Sequence, residues 1–195
     1  MIKMPIKNLA VLLLSISLLQ GCVAAAVVAV TSGAGVAVDK RTLGKQIDDQ
    51  RIELAAHNDL SKHQALQDNT NLQIVSVNGS VLVVGQAPNS YLRDLAIKTI
   101  TSVNGVLHVH NQIRISNEIS FTTKTNDLWL TSKVKTALFA AENISASNIK
   151  VVTENGEVFL LGLISSSQAN EAVDIARNIG GVNRVFKMFE FTKSL

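Results

Sequence analysis

Residues 72–85 read Leu-Gln-Ile-Val-Ser-Val-Asn-Gly-Ser-Val-Leu-Val-Val-Gly, and residues 149–162 read Ile-Lys-Val-Val-Thr-Glu-Asn-Gly-Glu-Val-Phe-Leu-Leu-Gly. A shift of 77 positions lays Asn78-Gly79 on Asn155-Gly156, Val81 on Val158 and Gly85 on Gly162. Each copy is two β-rich runs split by Asn-Gly, the pair that favours a two-residue type I′ turn because both turn residues need positive φ. Beyond each hairpin lies a helical stretch, then Gly105-Val106 or Gly181-Val182. A last strand follows, in which Val109, Ile113 and Ile115 match Val185, Phe189 and Phe191 at an offset of 76. Self-similarity of this length marks two copies of one small domain.

The helices complete each copy. Gln46–Leu66 shows helical periodicity, with Ile47, Ile52, Leu54 and Ala55 predicted to supply its apolar stripe. Before the second hairpin, Asn126–Ala141 places Leu130, Val134, Ala137 and Leu138 on one face, with Asn126 or Asp127 as the expected N-cap. Aligning Ile52 with Val134 makes the first copy five residues longer between helix and hairpin. Tyr91–Val103 and Gln168–Ile179 are predicted second helices, turning inward Leu92, Leu95, Ala96 and Ile100, and Ala169, Ala172, Val173 and Ala176. Gly105 and Gly181 are expected at their left-handed C′ positions. The fold class predicted is α+β: two tandem αββαβ domains, each a three-stranded mixed sheet covered by two helices, with one apolar and one polar sheet face. The expected boundaries are 46–116 and 124–195, each roughly 70–75 residues and near the lower limit for an unstapled core.

The N-terminus carries a different message. Lys3 and Lys7 precede the apolar run Leu9–Leu19, which is too short to span a bilayer and has the form of a secretory signal over residues 1–21. The sequence Leu19-Gln20-Gly21-Cys22 resembles the lipobox of bacterial lipoproteins. That resemblance implies covalent diacylglycerol and an N-acyl chain on Cys22, the single cysteine of the chain, so no intramolecular disulfide is possible. Several acyl chains give stable anchoring where one does not. Val23 stands where aspartate is associated with inner-membrane retention, so the resemblance implies the outer membrane. Residues 22–45 are then the lipidated N-terminus and a tether.

Charge excludes one class of partner. Without Lys3 and Lys7 the chain has 16 basic and 15 acidic residues, with no basic stripe, so nucleic acid is not an expected ligand. Residues 46–120 carry five basic and seven acidic groups, whereas 121–195 carry eight and seven. The two copies differ in charge.

A lipobox followed by two helix–hairpin–helix–strand units, with Asn-Gly-x-Val-x-x-x-Gly in each hairpin and Gly-Val before each last strand, resembles the BON-domain family, in particular its dual-domain lipoproteins of the Gram-negative outer membrane. The resemblance implies phospholipid binding, a role in outer-membrane integrity and no enzymatic activity.

The residues themselves offer no catalytic set. His108 and His110 share a strand face, yet their counterparts are Arg184 and Phe186, and no further ligand is in view for zinc. Ser165–Ser167 precede a helix, where capping is the usual work, and no Gly-x-Ser-x-Gly occurs. Gly79, Gly85, Gly105, Gly156, Gly162 and Gly181 are expected as turn and cap glycines. Asp48 and Asp49 are adjacent and point to different helix faces. No metal or cofactor other than the lipid on Cys22 is expected.

Trp129, the single tryptophan, lies about 100° around its helix from Leu130, flanking the core stripe. With Leu128 and with Lys124, Lys133 and Lys135 close by, it suits a membrane interface, where rings sit at headgroup depth and ammonium groups meet anionic phosphate. The other reading is that Trp129 covers the domain core or the first copy. The matching first-copy helix carries Asp48, Asp49 and Glu53 and no aromatic residue, so lipid binding is expected of the second copy. An adaptor for an envelope assembly or cell-wall remodelling complex is the alternative function.

Overall fold

The computed structural model describes residues 43–191. The signal peptide, Cys22 and nearly all of the tether lie outside the described residues.

Twelve elements run in order: α1 (Leu43–Ser61), α2 (Gln64–Asn69), β1 (Asn71–Val77), β2 (Ser80–Ala87), α3 (Ser90–Thr101), β3 (His108–Ile115), α4 (Phe121–Ala140), a short 3-10 turn (Ala146–Asn148), β4 (Ile149–Glu154), β5 (Glu157–Ile164), α5 (Ser166–Arg177) and β6 (Arg184–Phe191). Each copy is a mixed sheet, ordered β1-β2-β3 or β4-β5-β6, with an antiparallel hairpin and a parallel third strand. Asn78 and Gly79 have φ of 56° and 81°, and Asn155 and Gly156 have φ of 50° and 74°, as a type I′ turn requires.

The second helix of each domain docks closely on its sheet, α5 burying alanines alone and α3 an alanine beside larger side chains. Ala96 and Ile100 of α3, and Ala169, Ala172 and Ala176 of α5, are buried against their sheets. Asn89, Ser120 and Ser165 cap α3, α4 and α5, each accepting a backbone N–H from three residues ahead. α4 therefore starts at Phe121, not at Asn126, and neither Asn126 nor Asp127 is its N-cap.

Two helix expectations change in the first domain. The predicted helix to Leu66 breaks at Lys62-His63 into α1 and α2. Its core face is Ile52, Ala56 and Leu60, whereas Ile47 and Leu54 are exposed. The equivalence of Ile52 and Val134 also fails. Ile52 lies against Gly105 as Leu130 lies against Gly181, so the shift is 78 and the first copy is longer by one residue, not five.

Gly85 and Gly162 are neither turn nor cap residues. They sit within β2 and β5, where a Cβ would come within 1.9 Å of Asn71 O and 2.2 Å of Asn148 O. Gly105 and Gly181 have φ of 94° and 103°, but they stand in the turn beyond each helix, past the C-caps Ser102 and Asn178 rather than at C′.

The larger revision concerns the sheets. Every residue of β2 is buried, and β5 is buried at all but Leu163. Alternation explains it: Ile74, Val81 and Val83 face the helices, while Val77, Leu82 and Val84 face the opposite way. There they meet Val152, Phe159 and Leu161 of the second sheet, with Val75, Phe186 and Met188 at the margins. The face expected to be polar is a third core. The layers run helices, sheet, sheet, helices. Phe159 stacks on Phe186 with centroids 4.7 Å apart and planes 6° from parallel. Burying each such side chain stabilises by about 1.5–3 kcal/mol, so six buried apolar residues hold the domains together firmly.

Candidate functional site: the outer face of helix α4

The position of α4 is fixed from inside by two anchors. Leu130, Val134 and Leu138, at i, i+4 and i+8, are buried. The second anchor is polar: Asp127 is only 4% exposed, and its carboxylate accepts Asn155 N at 2.7 Å and Gly156 N at 2.8 Å. The hairpin turn thus donates both N–H groups to the helix beneath it. The first domain repeats the device. Asp49, 2% exposed, accepts Asn78 N at 2.8 Å, Gly79 N at 3.0 Å and Ser76 Oγ at 2.7 Å. Sequence reasoning did not assign either aspartate this role, and placed Asp127 as a helix cap instead. The available signal was an aspartate 29 residues ahead of Asn78 and 28 ahead of Asn155, which the equivalence of Ile52 with Val134 put out of register.

Held this way, α4 turns a second apolar face outward. Phe121 is 83% exposed, Leu128 71%, Trp129 58% and Phe139 66%. Trp129 is thus mostly outside the domain core. Lys133 Nζ sits 3.8 Å from the centroid of the Trp129 ring and donates to Gly180 O at 3.1 Å. Lys124 pairs with Glu118, and Lys135 is exposed on the same side of the helix as Leu128. The three lysines thus flank the apolar face on two sides, and two of them already have partners within the chain.

Two of the acidic residues noted on α1, Asp49 and Glu53, are engaged within the protein. Asp49 is inside, clamping a turn. Glu53 accepts Ser76 N at 2.7 Å and Lys150 Nζ at 3.0 Å, the latter from the second domain. Further contacts cross between domains: Asn78 Nδ2 donates to Glu190 at 2.7 Å, Arg114 pairs with Glu157, and Gln86 donates to Glu154. Burial raises the Glu154 carboxyl above its ordinary value of 4.5. The Gln86 hydrogen bond opposes that shift, nearby Asp127 adds to it and Lys124 opposes it.

Beside α4, between the domains, opens a cleft of about 460 Å³ bounded by Lys124, Leu128 and Lys135 of α4, Leu72 and Gln73 of β1, and Glu154. Among the described residues no group of three or more His, Cys, Asp or Glu is placed to hold a metal ion. His108 is exposed, while His110 is half-buried with Nε2 3.0 Å from Ser80 Oγ. No helix of the described residues is long and apolar enough to cross a membrane.

Known proteins share this organisation. The BON domain matches residues 48–117 and 126–193. The chain is 44% identical over 187 residues to the outer membrane lipoprotein DolP of Haemophilus influenzae, covering 96% of this chain and 97% of that protein. It is 37% identical over 156 residues to a 21 kDa hemolysin of Actinobacillus pleuropneumoniae, covering 80% of each. It is 29% identical over 160 residues to the osmotically-inducible protein Y of Escherichia coli, covering 78% of each. The chain belongs to the BON-domain family and is a dual-BON-domain lipoprotein of the outer membrane.

Proposed function

We propose that this lipoprotein, anchored by acylated Cys22 and facing the periplasm, lays α4 of its second domain on anionic phospholipid and so helps maintain the outer-membrane barrier without catalysing a reaction. One observation carries the reading. α4 is apolar on both faces, yet only one is buried, and Phe121, Leu128, Trp129 and Phe139 project from the other. Large apolar side chains grouped on an exposed helix face mark a membrane or interaction surface. The exposed face of α4 has an interfacial composition, with an amphipathic ring, aliphatic and aromatic neighbours and flanking ammonium groups. Each lysine that reaches an anionic surface adds about 1 kcal/mol. A serine- and threonine-dotted helix of this kind lies in the headgroup plane and does not insert across the bilayer.

Flotation tests the reading. The fragment 43–195, which lacks the acyl chains but contains all three cores, is expected to rise with vesicles that contain anionic lipid and to stay behind with neutral ones. Trp129→Glu is expected to abolish flotation with an unchanged unfolding midpoint, since the ring is mostly exposed. Wild-type flotation by that variant sinks the proposal. Failure of the parent fragment to float with either vesicle leaves Cys22 as the membrane contact and redirects α4 to an envelope protein.

A further inference from the structure

The cleft beside α4 differs from the outer face in drawing one wall from each domain. Lys124, Leu128, Thr131 and Lys135 fall at i, i+4, i+7 and i+11, a single stripe along the helix, and all four border the cleft. Across from them stand Leu72 and Gln73 of the first domain's β1. Leu128 belongs to both surfaces: it is part of the exposed apolar face and part of the cleft wall. The mouth of the cleft therefore opens where α4 meets the bilayer, at headgroup depth if the membrane reading holds. Its volume of about 460 Å³ is that of a small-molecule site.

We infer that this interdomain cleft receives the phosphate-bearing headgroup of one anionic phospholipid drawn from the bilayer under α4, with Lys135 and Lys124 as its cations and β1 of the first domain as its opposite wall. The inference rests on the membrane reading and adds a second, lipid-specific contact to it. The two lysines of the α4 wall point to an anionic occupant. Lys135 is exposed and borders the cleft, and Lys124 makes an exposed pair with Glu118, a kind of contact that exchanges at little cost. Two carboxyls also border the cleft, and both are already engaged within the chain. Asp127 is committed to the two turn N–H groups. Glu154 receives the Gln86 amide from the first domain. The first domain, although it lacks an aromatic membrane helix, thereby becomes part of lipid recognition.

The test is paramagnetic broadening in amide spectra of the 43–195 fragment on phosphatidylcholine nanodiscs that contain an anionic phospholipid with a nitroxide on its headgroup. Broadening is expected at Leu72 and Gln73 as well as at Leu128. Lys135→Glu is expected to remove it at Leu72 and Gln73 and to weaken nanodisc affinity about fivefold or more, the factor equivalent to one lysine at such a surface. Broadening confined to α4 overturns the cleft site and leaves the membrane reading intact; no broadening on α4 overturns both. Glycerol 3-phosphate supplies the remaining arm. If it shifts the Leu72 and Gln73 amides as strongly as the nanodiscs do, the cleft is a site for soluble phosphate esters and the lipid assignment falls.

Discussion

The two domains share their skeleton and differ on one helix surface. Superposed at a shift of 78, Asp49 and Asp127 clamp their hairpin turns, and Ile52 and Leu130 pack on the turn glycines Gly105 and Gly181. The outward positions diverge completely. Gln50, Arg51, Ala55 and Ser61 in α1 stand where α4 carries Leu128, Trp129, Lys133 and Phe139. Duplication preserved what the fold needs inside and left the solvent side of one helix open to a new task. The shared frame also binds the copies to each other, because both sheets give their second faces to a common core.

The largest expected effect breaks the common core. Phe159→Ala removes a buried ring stacked on Phe186 and is expected to cost about 3–5 kcal/mol. Because the side chain belongs to the core between the sheets, urea unfolding should remain one transition at lower concentration. Two separated transitions would show that the domains are independent after all.

Next come the turn clamps. Asp127→Ala leaves two turn N–H groups without their carboxylate, and Asp49→Ala leaves two N–H groups and a serine hydroxyl. A buried donor left unsatisfied costs about 1–3 kcal/mol, so each variant should lose about 2–4 kcal/mol, with Asp49→Ala the worse of the two. Equal stability to the parent in chemical denaturation would refute the clamp.

A smaller effect separates α4 from its lysines. Lys133→Met keeps the stem against Trp129 while removing the ammonium over the ring and the bond to Gly180 O. An exposed cation–π contact is worth about 0.5–1 kcal/mol, so the thermal midpoint should move by only a few degrees, whereas anionic-vesicle affinity should fall measurably. The converse pattern would make Lys133 a structural residue of the second domain.

The smallest effect is on pH dependence. The folded state raises the Glu154 pKa above 4.5, chiefly by burial. Between the ordinary and raised values the folded chain therefore holds a proton that the unfolded chain has released. Stability contributed by Glu154 is greatest at low pH and declines as pH rises through that window. Glu154→Gln should flatten this part of the stability profile and leave the neutral-pH fold unchanged. A profile identical to the parent would assign the slope to other groups.

Local chemistry explains why some features were readable in the chain. The Asn-Gly turns announced themselves because few residue pairs adopt two consecutive positive φ values. The core face of α4 was legible because Leu130, Val134 and Leu138 keep strict helical spacing. α1 misled because Ile47 and Leu54 are apolar but exposed, while the inward position beside Ile52 is an aspartate. A polarity pattern cannot distinguish a buried carboxylate that caps a turn from one in water. The runs Val81–Val84 and Val158–Leu161 did carry the sign of strands buried on both faces, since they are apolar without alternation. Only packing shows what covers the second face.

The amino-acid sequence by itself determined the duplication, the αββαβ order, the mixed sheets and the exceptional character of Trp129, because these follow from turn chemistry, periodicity and composition along short stretches. Tertiary structure alone decided that the two sheets share a core, that Asp49 and Asp127 face inward, and that Phe121 and Phe139 join Leu128 and Trp129 on one outward surface. Those outcomes depend on which of two chemically suitable faces finds a partner, and that choice is made between segments far apart in the chain.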